Sequence, residues 1–287
     1  MVLACWRAAN VTGDAKLHQL AVYHFDLVYA RGFDLVSGGG LYWTTQRTCK
    51  NACINLPAAV AAMYLHQSTG NSTYLRIASE LYAWSRTTLW VQGRVNDHID
   101  TPSAVPPFPL DNRTFTCTLH PGLKRCELHI RPTYLSFICV RMWIRFADNA
   151  GAFIGAAMLL FATTQDSSYV QDAILTAQYA RIHLTGAQGM VGILSDEGVG
   201  SPDAVGFHGI FFRYAAAYAR AAHDADVMGW LQFNAATAWA QRNALDLVWS
   251  QWWHSTPPYS EHPISSFEAS SAVVAINCVA PRVPARA

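Results

Sequence analysis

Few residues in this chain are typed and spaced for chemistry. One adjacent acidic pair, Asp196-Glu197, lies between Gly192 and Gly198. Two carboxyl groups, one charged and one protonated, are what cleavage of a glycosidic bond requires. The same pair can equally brace a loop or cap a helix. Asp97 and Asp100 flank His98 in a second polar stretch, too short for three metal ligands to converge unaided. His208 stands between Phe207 and Gly209 at a helix start, with Arg213 a turn and a half further on, and a single histidine there serves packing as readily as catalysis. Cys49 and Cys53 have no nearby His or Cys to complete a zinc site, so no metal is expected. The sequence holds no G-x-S-x-G elbow and no glycine-rich phosphate loop, which leaves serine hydrolysis and nucleotide binding without support.

These residues must be positioned by helices, and the helices come in pairs. Thr12-Gly13-Asp14, Thr69-Gly70-Asn71, Thr164-Gln165-Asp166 and His223-Asp224 each separate two stretches with apolar residues at helical spacing. Asp and Asn at such turns accept hydrogen bonds from the unsatisfied amides of the following helix. The turns recur at 57 residues (Thr12 to Thr69) and 59 residues (Thr164 to His223). A period of that length with two helices per unit predicts helical hairpins stacked in a line or a closed ring. The interval from Thr69 to Thr164 is 95 residues, and the excess falls within residues 101–148. That segment carries six Arg and Lys, three of the seven Cys and no helical stripe, and is expected to be an irregular insertion in a single domain spanning 1–287. Polar loops recur before or after each pair, at Gly38–Trp43, Asn96–Asp100 and Gly192–Gly198, and would gather at one end of a ring.

Composition narrows the partners. Hydrophobic residues make up 52% of the chain and charged ones 14%, against about 25% charged in ordinary domains. Net charge is +1, so nucleic acid and anionic membranes are not expected to be partners. The longest apolar stretch, Ala150 to Ala162, is too short for a membrane span, which takes roughly 20 residues. The 35 aromatic residues suit either a large helical core or sugar-stacking platforms. Asn10-Val-Thr12, Asn71-Ser-Thr73 and Asn112-Arg-Thr114 are glycosylation acceptors if the chain is secreted, although no signal peptide is legible after Met1.

Taken in order, the motifs form a series. They are Val2-Leu3-Ala4-x-Trp6 with Thr12-Gly13-Asp14, Gly38-Gly39-Gly40-Leu41-Tyr42-Trp43, Lys50-Asn51-Ala52 and Val95-Asn96-Asp97, then Asn149-Ala150-Gly151 and Gly192-Ile193-Leu194. Phe207-His208-Gly209-Ile210-Phe211-Phe212-Arg213-Tyr214, Asn234-x4-Trp239 and Glu268-Ala269-Ser270-Ser271-Ala272 complete it. The series resembles glycoside hydrolase family 76, the endo-acting α-1,6-mannanases and related fungal cell-wall proteins. The resemblance implies an all-α, (α/α)6 toroid of helical hairpins and retaining attack on α-1,6-linked mannan; the sequence itself shows no sign of a cofactor. It also implies that the catalytic pair is two consecutive aspartates just before the Val2–Trp6 helix. That pair would lie upstream of Met1, so the toroid is expected to be incomplete at its N-terminus, with an apolar face of the last helix exposed. The family pattern has an aromatic residue before Asn149 where this chain has Asp148, and residues 101–148 are expected to include translated intron.

On this reading Trp43 stacks on sugar, and Asn51, Asp97, Asn149, Gly151, His208 and Arg213 line the subsites. Two further readings stand beside it. One is a non-catalytic carbohydrate-binding remnant that lacks the aspartates. The other is a toroid hydrolase of acidic sugars, which the near-neutral charge disfavours. The full-length product is expected to be a monomer, extracellular or in the cell wall.

Overall fold

A computed structural model describes residues 1–101, 146–186, 191–195 and 204–280. The segment expected as an insertion therefore lies outside the described residues from 102 to 145, as does the Asp196-Glu197 pair.

Nine helices occur among the described residues: α1 (Val2–Thr12), α2 (Ala15–Gly32), α3 (Ala52–Thr69), α4 (Ser72–Thr88), α5 (Ala147–Thr164), α6 (Ser167–His183), α7 (Phe207–Ala221), α8 (Ala225–Ala240) and α9 (Ser266–Val279). Each odd-numbered helix down to α7 turns sharply into its even partner. At the first three turns the threonine hydroxyl donates to the carbonyl four residues back, Thr12 to Ala8, Thr69 to Leu65 and Thr164 to Leu160. It then accepts from the amide two residues on. The middle residue, Gly13, Gly70 or Gln165, takes a left-handed conformation that ends the helix. Asp14, Asn71, Asp166 and Asp224 then cap the next helix through their side chains. The four turns read from the sequence are these four turns.

The burial pattern separates an inner from an outer layer. On α4 the buried residues are Tyr74, Ile77, Ala78, Leu81, Tyr82, Trp84 and Ser85, one stripe facing inward. On α5 burial is continuous from Ala147 to Ala157, which a helix shows when it is enclosed on all sides. Side by side, α1, α3, α5, α7 and α9 form the inside, with α2, α4, α6 and α8 packed around them. Small residues let the inner helices approach closely: a Cβ on Gly151 would stand 2.5 Å from the Phe211 Cα, and one on Gly155 would strike the Tyr214 ring. Trp6 of α1 stacks on Tyr64 of α3 at 4.1 Å, while Arg7 reaches the hydroxyl of Tyr214 on α7 at 3.2 Å. The inner layer thus curves back toward its own beginning, as a ring requires. The described residues comprise four hairpins and one further inner helix. The exposed surface of α9 includes Phe267 and Val273, and that of α1 includes Val11.

Four short strands were not foreseen. β1 (Cys49–Asn51) pairs antiparallel with β4 (His98–Asp100), and β2 (Trp90–Val91) with β3 (Arg94–Val95). A bridge from Tyr42 to Lys50 adds residues 41–43 to the first ladder. Segments this short carry too little alternation to be read as strands.

Candidate functional site

All four tight turns lie at one end of the helices. The described parts of the connections, 33–51, 89–101, 184–186 with 191–195 and 204–206, and 241–265, therefore lie at the other, where the inner helices begin. Helix N-termini present unpaired amides and a partial positive charge, so this is the end suited to hydroxyls and carboxylates.

The wall before α3 is built by the small ladder. Side chains alternate across a strand, so Tyr42, Lys50 and Ile99 share one face and Trp43, Cys49, Asn51, His98 and Asp100 the other. The first face is buried. The Lys50 ammonium is fully enclosed, donating to the Asp34 carboxylate at 2.7 Å and to the carbonyls of Val36 and Gly39 at 2.8 and 2.7 Å. It also lies 4.5 Å above the Tyr42 ring. Burial tends to raise the Asp34 pKa, but the hydrogen bonds from Lys50 and Tyr42 outweigh it and hold the carboxyl below its ordinary value. Lysine in the Lys50-Asn51-Ala52 motif therefore anchors the glycine loop. Gly40, at φ +85°, passes over the Trp84 indole, where a Cβ would lie 2.7 Å from the ring. Trp84 Nε1 in turn donates to the Ser37 carbonyl at 3.0 Å. The loop is pinned from both sides, and Trp43 stands at its end, 58% exposed at the rim.

Asp97 is the hub of the site. Its Oδ1 accepts from Asn149 Nδ2 at 3.1 Å, and its Oδ2 lies 2.8 Å from His98 Nδ1. The Asp97 carbonyl accepts the Ala52 amide at 2.7 Å, which fastens this residue to the first turn of α3. Asp100 lies on the far side of the imidazole, 3.8 Å from His98 Nε2. Asn51 is directly opposite His98 in the ladder, and its Nδ2 donates to Cys53 Sγ at 3.0 Å. Asn51 Oδ1 and Asn149 Oδ1 are enclosed, with no donor among the described residues. Burial, then the charges of Asp148 and Asp97, push the Cys53 thiol up to about 12. Asp148 itself is buried in the first turn of α5.

Across the mouth, His208 is buried in the first turn of α7, its ring 4.9 Å from and edge-on to Trp252. Phe207 meets Phe146 edge-on, joining the entrances of α7 and α5. Of the residues expected at the subsites, Asn51, Asp97 and Asn149 are brought together, with Trp43 one ladder step away. His208 forms another wall. Gly151 lies within α5, where it admits the α7 backbone. Arg213 lies further along α7, half-buried, where its positive charge opposes the rise that burial imposes on the Cys278 thiol of α9. Sequence reasoning missed Cys53, Ser250 and Trp252 as parts of this region, since their roles depend on partners far away in the chain. No two of the described cysteines are bonded to each other, and no group of three described His, Cys, Asp or Glu residues could hold a metal ion.

A ring of helical hairpins whose polar connections and inner-helix entrances share one end defines the class: an (α/α) toroid. The chain belongs to glycosyl hydrolase family 76, whose sequence profile matches residues 1–107 and 140–280. The GH76A α-1,6-mannanase of Salegentibacter sp. HEL1_6 has a similar structure, with a TM-score of 0.75 and 26% identity over 97% of this chain and 73% of that one. An inactive variant of that enzyme, with two adjacent aspartates replaced by asparagine and α-1,6-mannotriose bound, matches at a TM-score of 0.72 and 26% identity, over 97% of this chain and 72% of the other. The Lin0763 protein of Listeria innocua shares the fold at 21% identity and a TM-score of 0.75, over 97% and 69% of the two chains. No curated protein sequence matches.

Proposed function

We propose that this chain forms the substrate-gripping bowl of a retaining glycoside hydrolase acting on α-1,6-linked mannan. The observation that carries this reading is the Asp97 hub. A carboxylate held by Asn149 and His98, with the exposed Trp43 nearby, offers a sugar both a hydroxyl partner and a stacking face. Family membership supports the chemistry. The likeness to an α-1,6-mannanase that is described as inactive after replacement of two adjacent aspartates supports both linkage and mechanism.

Retention needs two carboxyl groups about 5 Å apart. This chain has no two consecutive aspartates, and the family pattern places the pair just before α1, whose N-terminal end opens at the same mouth. The reacting carboxylates are therefore assigned to an Asp-Asp pair upstream of Met1. Asp97 positions the sugar. That division favours a second reading for the chain as it stands, which binds mannan without cutting it. The full-length product is proposed to work as a monomer outside the cell or in its wall. Exposure of Asn10 and Asn71, two of the three glycosylation acceptors, is in keeping with that location.

Calorimetry with α-1,6-mannotriose, paired with reducing-sugar release from linear α-1,6-mannan, tests the proposal. Both assays are run on this chain and on one extended upstream by its own coding sequence through an Asp-Asp pair. Binding by both chains and hydrolysis only by the longer one is expected. Absence of binding by both would overturn the mannan reading, and hydrolysis by the shorter would overturn the placement of the acids.

A further inference from the structure

The connection 241–265 runs from α8 to α9 with neither helix nor strand, a length that in a compact domain usually serves a function. Its ordering centres on one carboxylate. Ser265 caps α9, its Oγ accepting the Glu268 amide at 3.1 Å. In a Ser-x-x-Glu capping box the glutamate side chain folds back onto the amide of the capping serine. Glu268 is turned elsewhere. Its Oε1 accepts from the Ser250 amide at 2.9 Å and the Ser250 hydroxyl at 2.8 Å, and its Oε2 lies 3.6 Å from His262 Nε2. Only 5% of the residue is exposed. One side chain thus fixes the connection at two points, 250 and 262.

What those points hold is the wall around His208. Two residues beyond Ser250, Trp252 is fully buried between the His208 ring at 4.9 Å and the Phe212 ring at 5.5 Å. Trp249, on the other side of Ser250, packs edge-on to His262 at 5.6 Å and donates from Nε1 to the His254 carbonyl. From α9 the path runs through Glu268, Ser250 and Trp252 to the first turn of α7. We propose that Glu268 is a positioning residue for the sugar site: through Ser250 and Trp252 it sets the placement of His208 and hence the affinity of the mouth, without touching sugar itself. This rests on the reading of the mouth as a mannan site.

The test compares Glu268→Ala, Glu268→Gln, Ser250→Ala and Ser265→Ala. The last removes the α9 cap but leaves the tether intact. Two quantities are measured on each folded chain: the NMR resonances of the His208 ring in the free protein, and the affinity for α-1,6-mannotriose. Glu268→Ala should move the His208 resonances out of the Trp252 ring current and weaken mannotriose about tenfold, the order expected for losing a pair of charge-assisted bonds. Glu268→Gln, whose amide oxygen still accepts from Ser250, should recover most of both. Ser265→Ala should lower stability and leave both readouts unchanged. Should Glu268→Ala fail to fold, Ser250→Ala carries the same expectation at smaller size. Unmoved His208 resonances in the Glu268 and Ser250 variants, or an equal affinity loss in Ser265→Ala, would overturn the proposal. Failure of the wild-type chain to bind mannotriose would instead sink the mannan reading, and the His208 resonances would still decide the tether.

Discussion

Replacing Lys50 by methionine tests whether the glycine loop and Trp43 are held by one buried cation. In the folded chain the ammonium serves Asp34 Oδ1, two buried-side carbonyls and a third carbonyl contact to Asp34 itself at 3.2 Å. Methionine keeps the apolar stem in place and removes every one of these donors. Breaking a buried ion pair from one side costs about 3–5 kcal/mol. Here the Asp34 side chain retains 26% exposure and has Arg47 at 3.6 Å, so water and that second cation offset part of the loss. The carbonyls of Val36 and Gly39 add about 1 kcal/mol each where they stay unsatisfied. The net expectation is a loss of about 3 kcal/mol, read from the shift of the urea midpoint at unchanged slope. Acid should narrow the gap. Asp34 has a folded pKa below its unfolded value, so its contribution is complete above the ordinary carboxylate pKa near 4 and fades as pH falls through the lower folded value. A destabilisation under about 1 kcal/mol at neutral pH, with residues 33–43 still resistant to protease, would refute the anchoring argument.

Three further outcomes follow from the geometry. Gly40→Ala forces a side chain into the left-handed region and against a Trp84 ring already tied to Ser37, and should cost about 2–4 kcal/mol, seen as a lower melting temperature; an unchanged melt would contradict the packing. With its thiol pushed up to about 12, Cys53 should resist alkylation at pH 8 in the folded chain, and peptide mass mapping that found it modified within minutes would refute the half-buried, acid-flanked placement. Asp172 is buried between α4 and α6, accepting from Tyr82 and Arg86, so Asp172→Ala should lose about 3 kcal/mol by denaturant titration, whereas a loss below about 1 kcal/mol would show the pair to be replaceable.

The hairpin turns were legible in the sequence because every group that makes them lies within four residues: the threonine hydroxyl, the left-handed residue and the Asp or Asn cap. The stripe of α4 and the apolar run in α5 were legible as well, being properties of the chain itself, but which helices form the inner layer emerged only from their packing. The ordered series of motifs carried the family. What the sequence left open were pairings between residues far apart. Asp97 meets Asn149 across 52 positions, and the same aspartate could have capped a helix or faced water. Glu268 reads locally as half of a capping box, yet its carboxylate goes to Ser250, 18 positions back. Lys50, legible only as a member of a motif, is wholly enclosed. In each case the choice depends on which polar groups the closing ring strips of water, because a desolvated carboxylate or ammonium must take the strongest partner within reach, and the ring alone fixes which partner that is.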